Sequence, residues 1–249
     1  MQNRYVGDVG DFAKFALLRA IARSTQLRIA VIWYLYTDED HNADGRHVSY
    51  LRDPIFAQLD PELHAALARI IERGRRSVRS LAASGILPDD TTFYASSISD
   101  RQTDIRVLRA DRARRRALWL RKAVTAARDH ELVFLDPDNG IETASVQRHS
   151  PKSGKYAYWD ELRAFWDQGH SLVVYHHLNR TATVARQAEV LRTKFAERFP
   201  DAALIRHFLA RRGSCRHFWI VGNQRHGRAL ESACKNISQT ALSSCLELG

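Results

Sequence analysis

The residues best suited to chemistry follow a short apolar run in the stretch LVFLDPDNGIE, residues 132–142. Leu, Val, Phe and Leu lead directly into four residues that include two acids: Asp136, Pro137, Asp138 and Asn139. Such an apolar run predicts a buried strand. Ligands of α/β sheets bind beyond the carboxyl ends of the strands, so these four residues are candidate catalytic residues. Asp, Pro, Asn and Gly are also preferred turn residues, so a turn that ends the strand is the alternative interpretation.

Strands and helices are predicted to alternate around this stretch. Apolar spacing predicts helices at 11–22, 61–84, 101–129, 158–169 and 180–198. Strands are predicted at 28–36, 91–96, 131–135 and 171–177, and a hairpin at 203–209 and 215–222. This order predicts an α/β fold: a mostly parallel sheet with helices on both faces and a C-terminal antiparallel hairpin. We expect a single domain over 1–249, with a helical insertion around 52–130.

Other polar residues are predicted to lie at the same sheet edge. The loop after the first strand contains Asp38, Asp40 and Gly45, and His176 and His177 end the strand at 171–177. The carboxyl ends of parallel strands share one edge, so these residues can converge with Asp136. Neighbours on a strand face opposite sides, so at least one of the two histidines is expected to be a core or strand-end residue.

Composition limits the class of protein. The chain has 249 residues, 45% of them hydrophobic, which suits one large domain. The longest apolar run, 29–36, is too short to cross a bilayer, and the N-terminal segment is too charged for a signal peptide. The three cysteines have no CxxC spacing and predict reduced thiols. We therefore expect a cytoplasmic protein without a membrane partner.

The net charge of +10 is concentrated in one segment. Residues 101–128 contain ten Arg or Lys and two Asp, a net charge of +8. Helical spacing puts Arg109, Arg112 and Arg116 on one face, and the candidate nucleic-acid contacts also include Arg121 and Lys122. A basic face of this kind suits a phosphate backbone, RNA or DNA. A solvated helix is the alternative interpretation.

The order of these features resembles a class I S-adenosylmethionine-dependent methyltransferase, and more distantly the adenine-N6 methyltransferases of large-subunit ribosomal RNA. Residues 3–21, NRYVGDVGDFAKFALLRAI, resemble the N-terminal segment of that family, in which a Gly-x-x-Asp-x-x-Lys pattern opens the first helix. DPDN at 136–139 stands where the family has Asp-Pro-Pro-Tyr. SLVVYHH and RRGSCRHFWIVGN, at 171–177 and 211–223, resemble the following strand and the closing hairpin.

The resemblance implies a Rossmann-like fold, S-adenosylmethionine as cofactor and an amino group as methyl acceptor. By position, Asp136 and the Pro137 carbonyl accept hydrogen bonds from that amino group. Asn139 stands in place of an aromatic residue that stacks on the flipped base, and Tyr156 or Tyr158 is a possible substitute. The implied cofactor-binding residues are Asp11, Lys14, Asp38, Asp40 and Gly45.

The first strand lacks the Gly-x-Gly turn that normally approaches this cofactor, and only Gly45 is available in the loop. An acidic side chain in this loop can bind the ammonium of the cofactor's methionine part or a ribose hydroxyl.

Two further functions are consistent with the same residues. Carboxylates on one sheet edge beside a basic helix suit Mg²⁺ and a phosphodiester, as in a metal-dependent nuclease or phosphohydrolase. Its ligands would be Asp136, Asp138, Glu142 and one of Asp38 or Asp40. The third function is a non-catalytic protein that binds nucleic acid through the basic helix alone.

Overall fold

The computed structural model describes residues 1–39, 45–99, 109–211 and 215–249. The strands are β1 (Ile29–Trp33), β2 (Leu35–Tyr36), β3 (Thr92–Tyr94), β4 (Ser97–Ser99), β5 (Leu132–Asp136), β6 (Gly140–Ile141), β7 (Tyr156–Ala157), β8 (Ser171–His177), β9 (Leu204–Ala210), β10 (Arg216–Gly222) and β11 (Glu247–Leu248). The α-helices are α1 (Val9–Thr25), α2 (Pro54–Leu59), α3 (Pro61–Glu72), α4 (Val78–Ala82), α5 (Arg109–Ala127), α6 (Trp159–Trp166), α7 (Val184–Arg198) and α8 (Gly227–Ser238).

A seven-stranded sheet in the order β11-β9-β10-β8-β5-β1-β3 forms the centre of the protein. Strands β3, β1, β5 and β8 are parallel, and β10, β9 and β11 pair antiparallel. The carboxyl ends of the parallel strands therefore meet at one edge, as predicted. The α/β class and the closing antiparallel hairpin are confirmed.

Apolar residues cover both faces of the sheet. On β5, Phe134 packs in one core with α1, α3 and α8, whereas Leu135 packs in the other with α5, α6 and α7. Alternate side chains of a strand point to opposite faces, which is why this strand is apolar throughout. Residues 52–130 hold α2 to α5 and also supply β3 to the main sheet. Within the described ranges, no helix combines the length and apolar character needed to cross a membrane.

The first helix begins earlier than predicted. Its N-cap is Asp8, whose carboxylate accepts hydrogen bonds from the backbone N–H of Gly10 and Asp11. The predicted start at residue 11 is wrong by two residues, because Asp8 accepts from these N–H groups and the helix begins at Val9. Asp11 consequently lies in the first turn with its carboxylate directed to other partners.

The first strand is shorter than predicted and leaves the main sheet after Trp33. The next residue, Tyr34, packs on the Trp119 ring at 4.7 Å between centroids, and its hydroxyl donates to Glu161 at 3.2 Å. The chain then pairs β2 with β4 in a separate two-stranded sheet. After the first strand the chain therefore continues into a second sheet, at the position where the methyltransferases that the sequence resembles have a Gly-x-Gly turn.

Arg116 of α5 is a structural residue. Its side chain is buried and donates to both carboxylate oxygens of Glu161, at 2.5 and 2.9 Å. It also donates to the carbonyls of Ser153 and Tyr156, at 2.9 and 2.6 Å. Arg116 is therefore held in a buried ion pair, unlike the exposed arginines with which helical spacing grouped it, because spacing cannot show which side of a basic helix packs against the protein.

Replacing Arg116 by Met is expected to destabilise the fold strongly. Glu161 would remain buried without its cation, and such losses cost roughly 3–5 kcal/mol. Urea unfolding followed by circular dichroism measures the change. The adjacent, exposed Arg115 is the matched control, and its change to Met should stay within about 0.5 kcal/mol. Equal stabilities of the two variants would contradict a structural role for the ion pair.

Three histidines lie side by side on one face of the sheet. His176 of β8 pairs in register with His217 of β10, and the rings of His217 and His207 are 4.5 Å apart. All three are buried, and burial lowers the pKa of His176 and of His207 to about 4 and that of His217 to about 3. Each is therefore neutral in the folded protein at neutral pH.

These histidines should make the protein acid-labile. The folded-state pKa values lie below the unfolded value of 6.5, so the unfolded chain binds more protons between these values. Stability is therefore complete above pH 6.5 and falls as the pH drops towards 4, by at most about 1.4 kcal/mol per pH unit for each ring. Urea unfolding at a series of pH values measures this slope. His217→Phe should flatten it, and the exposed His47→Gln should leave it unchanged; an unaltered slope in His217→Phe would refute this origin.

Candidate functional site

A cavity of about 370 Å³ lies at the carboxyl edge of the parallel strands. We call it the strand-end cavity. Residues 136–139 after β5, the first turn of α1, and the facing ends of β8 and β10 form most of its wall. Its volume is within the range of small-molecule sites. It contains several candidates named above, which are Asp11, Lys14, Gly45, Asp136, Pro137, Asp138 and Asn139.

Lys14 joins the helix to the strand at the base of this cavity. Its ammonium donates to Asp11 at 2.8 Å and to Asp136 at 2.7 Å, and the three side chains are almost completely buried. Asp11 also accepts from the Gly7 backbone N–H at 3.0 Å. Among the described residues, the second oxygen of Asp136, Oδ1, has no hydrogen-bond partner. That oxygen remains available to a group bound in the cavity.

Burial and charge set the protonation of this triad. The two carboxylates hold the pKa of Lys14 well above its usual value, so the ammonium remains charged. Burial raises the pKa of Asp136 and of Asp11, and Lys14 offsets this only in part because one cation serves two carboxylates. Asp136 is therefore more basic than a carboxylate on the surface.

Asp138 and Asn139 are fixed by contacts from several elements. Asp138 accepts from the Gln2 amide at 2.8 Å and lies 3.6 Å from the α-amine of Met1 and 3.7 Å from the Lys155 ammonium. The Asn139 backbone N–H donates to the Lys155 carbonyl at 2.8 Å. The DPDN segment is thus held rigidly at the cavity wall, which suits the positioning of a ligand.

Gly140 allows this segment to approach β8. Its φ is +104°, and a Cβ there would lie 2.6 Å from the His176 ring. The same ring accepts a hydrogen bond from the Ile141 N–H at 3.1 Å. His176 is therefore a buried strand residue, whereas the exposed His177 lines the cavity. The expected division between the two neighbouring histidines is confirmed.

Sequence reasoning missed several residues of the cavity. Arg216, at the start of β10, is buried and pairs in register with His177. Its guanidinium lies over Gly10, where a Cβ would be 1.6 Å from Nη1. Arg180, Tyr5 and Tyr175 also line the wall. The position of Arg216 beside His177 follows from the hairpin register, which the sequence does not specify.

The aromatic residues suggested as substitutes at Asn139 lie elsewhere. Tyr158 is buried, with the guanidinium groups of Arg116 and Arg148 over its ring at 4.5 and 4.4 Å, and Tyr156 does not line the cavity. Burial raises the pKa of the cavity residue Tyr175 to about 12. Among the described residues, Tyr5 and Tyr175 are thus the tyrosines that a ligand in the cavity can contact.

The loop candidates after the first strand differ in position. Gly45 lines the cavity with φ +82°, and a Cβ there would be 2.5 Å from the Arg4 carbonyl, so close backbone packing requires glycine. Asp38 is exposed and accepts from the Arg4 N–H at 3.2 Å; it does not line the cavity. Asp40 lies outside the described residues.

The alternative metal site is not assembled. The Glu142 carboxylate accepts from the Trp159 N–H at 2.9 Å, at the start of α6, and Asp38 is occupied by Arg4. Within the described ranges, no group of three or more His, Cys, Asp or Glu side chains could hold a metal ion. Neither Glu142 nor Asp38 lines the strand-end cavity, so the structure does not bring them together there with Asp136 and Asp138. Asp40, the alternative to Asp38 as a ligand, lies outside the described residues.

The basic residues of α5 form a separate surface. Arg109, Arg121 and Lys122 are exposed, and the half-buried Arg112 donates to the His149 carbonyl at 2.9 Å. None of them lines the strand-end cavity. Comparison of the chain with protein-family models and with curated proteins gives no match.

Removing Lys14 should destabilise the protein in a pH-dependent way. In Lys14→Met, Asp11 and Asp136 are buried without a cation, and the expected loss is roughly 3–5 kcal/mol at pH 8. Protonation of raised-pKa carboxylates favours the folded state, so the loss should be smaller at pH 5. Urea unfolding at both pH values measures it.

The control is Arg23→Met on the same helix, because Arg23 is exposed and its buried partner Asp60 keeps its contact with Arg19. Exposed pairs contribute at most about 1 kcal/mol. A Lys14→Met loss no larger than the control, or one that does not depend on pH, would show that the triad is not a buried charge cluster.

Proposed function

We propose that the strand-end cavity is the active site of an S-adenosylmethionine-dependent methyltransferase that acts on an amino group of nucleic acid. The observation that carries the proposal is the Asp11–Lys14–Asp136 triad, which joins the two sequence segments resembling that family. Fold likeness alone does not establish an activity, so the chemistry of the cavity has to support it.

The charges of the cavity suit the amino-acid part of this cofactor. Carboxylates of Asp8, Asp11 and Asp138 and guanidinium groups of Arg180 and Arg216 line the same 370 Å³ space. A zwitterion needs both signs close together: an acid for its ammonium and an arginine, which binds carboxylates through a planar fork, for its carboxylate. The residues of the cavity therefore fit the amino-acid part of S-adenosylmethionine, although the chain has no Gly-x-Gly turn.

S-adenosylmethionine supplies an electrophilic methyl group when bound. The role proposed for Asp136 is to accept a hydrogen bond at Oδ1 from the acceptor amino group, since Oδ2 is held by Lys14. Burial raises the pKa of Asp136, which improves it as an acceptor for the proton that a methylated amine releases. Lys14 fixes the orientation of the carboxylate, so positioning provides much of the rate.

The proposal predicts binding of the cofactor and of its demethylated product. S-adenosylmethionine or S-adenosylhomocysteine at about 100 times the dissociation constant should stabilise the protein by about 2.7 kcal/mol, a shift of several degrees in Tm. A thermal scan with either ligand measures this. A shift with Mg²⁺ or Mn²⁺ instead, or no shift with any of them, would contradict the cofactor assignment.

A second experiment separates binding from catalysis. Asp136→Asn should retain the shift with S-adenosylhomocysteine and lose transfer of labelled methyl groups to RNA or DNA by 100-fold or more, as expected on removal of a general base. Glu142→Gln is the matched control, because this carboxylate lies outside the cavity wall. Equal activities of the two variants would exclude Asp136 from the reaction.

A further inference from the structure

A second cavity, of about 330 Å³, lies between α5 and the segment 94–98. We call it the α5 cleft. From its lining we infer that it binds one nucleotide unit of single-stranded nucleic acid, phosphate and base together. The inference extends the proposed function by naming where the substrate is held.

One face of α5 supplies cations to this cleft. Arg112, Arg115 and Lys122 line it at spacings of three and seven residues, so they lie on the same side of the helix. Arg115 and Lys122 are exposed and form no ion pair with a described residue. Among the residues that the structure describes, no Asp or Glu lines the cleft. A bound phosphate would therefore meet an excess of positive charge.

Polar atoms of the cleft lack partners as well. The buried Nε of Arg112 and the buried Oγ of Ser150 have no hydrogen-bond partner among the described residues. Both residues belong to the lining. Buried polar groups are nearly always satisfied, so an unpaired N–H and hydroxyl at a basic cavity indicate a missing acceptor.

The remaining wall is apolar and suits a base. Leu118 is 44% exposed, one of few large apolar side chains so exposed among the described residues, and it lines the cleft together with the half-buried Tyr94 and Ile98. Trp119 fixes this wall: its Nε1 donates to the Ser96 carbonyl at 2.9 Å, and its ring meets Tyr94 edge-on at 5.7 Å. Aromatic and apolar contacts hold bases without selecting their sequence.

The cations and the apolar wall together favour a nucleotide over a simple anion. An acidic protein surface would use the charges but would leave Leu118 and Tyr94 without a function. Both the cleft and the strand-end cavity follow carboxyl ends of parallel strands, β3 and β5. A nucleic-acid strand held in the α5 cleft therefore lies at the same carboxyl edge of the sheet as the proposed reaction.

The test compares two double variants of one helix. Arg115→Ala with Lys122→Ala removes two cations of the cleft, and Arg114→Ala with Arg121→Ala removes two exposed cations of α5 outside it. The probe is a fluorescein-labelled single-stranded oligonucleotide of mixed sequence, as RNA and as DNA, followed by fluorescence anisotropy without S-adenosylmethionine. The cleft variant should weaken binding about tenfold or more, and the control by less than about threefold. The salt slope of the cleft variant should fall by roughly 0.7, the value for the loss of one phosphate contact on a single strand.

Leu118→Ser tests the base contact without changing charge. It should weaken oligonucleotide binding about fivefold or more, which is the smallest loss expected when one base contact is removed. Competition with free mononucleotides identifies the source of the ligand: effective competition at concentrations similar to the oligonucleotide would assign the cleft to free nucleotides, and its absence assigns it to a strand. Equal losses in the two double variants, or no effect of Leu118→Ser, would overturn the cleft as a nucleotide site.

The assay is independent of the cofactor. A protein that binds S-adenosylhomocysteine but no oligonucleotide contradicts the cleft alone. A protein that binds oligonucleotides through the cleft and shows no shift with the cofactor contradicts the methyltransferase alone.

Discussion

The buried contact of Lys14 with Asp11 and Asp136 determines how the rest of the site is arranged. It connects the first helix to the central strand across 122 residues of sequence. Two carboxylates and one ammonium removed from water are costly unless each finds its partner, so this geometry requires close packing of α1 on the sheet. The strand-end cavity lies directly above the contact, and its charges are fixed by the same packing.

The elements with strong periodicity could be predicted from the sequence, whereas their ends could not. The strand at 171–177 has the predicted bounds. The helical stretch at 61–84 is two helices, because Gly74 has φ +63° and Ser77 caps a new start. Capping and left-handed glycines depend on backbone conformation, which apolar spacing does not encode.

The cavity residues that follow a single strand could be predicted from the sequence, whereas those brought in by contacts between several elements could not. DPDN follows a single apolar run, and its position at the carboxyl edge follows from that run. The register of the hairpin places Arg216 at the cavity. Arg116 is buried against Glu161, a residue far away in sequence, and so does not belong to the exposed basic surface. Contacts between distant segments determine the positions of both arginines. The spacing of residues on a helix shows which of them share a face, but not what that face packs against.

The long separation of Lys14 from Asp136 also has a consequence for folding. Helix α1 packs against α8, near the other end of the described chain, as well as against the sheet. Both partners are synthesised long after α1, so its apolar side stays exposed and Lys14 stays without Asp136 on the growing chain. Ordering such distant segments requires closure of long loops, which slows folding. We therefore expect refolding to be slow, with the cavity charges paired only in the last steps.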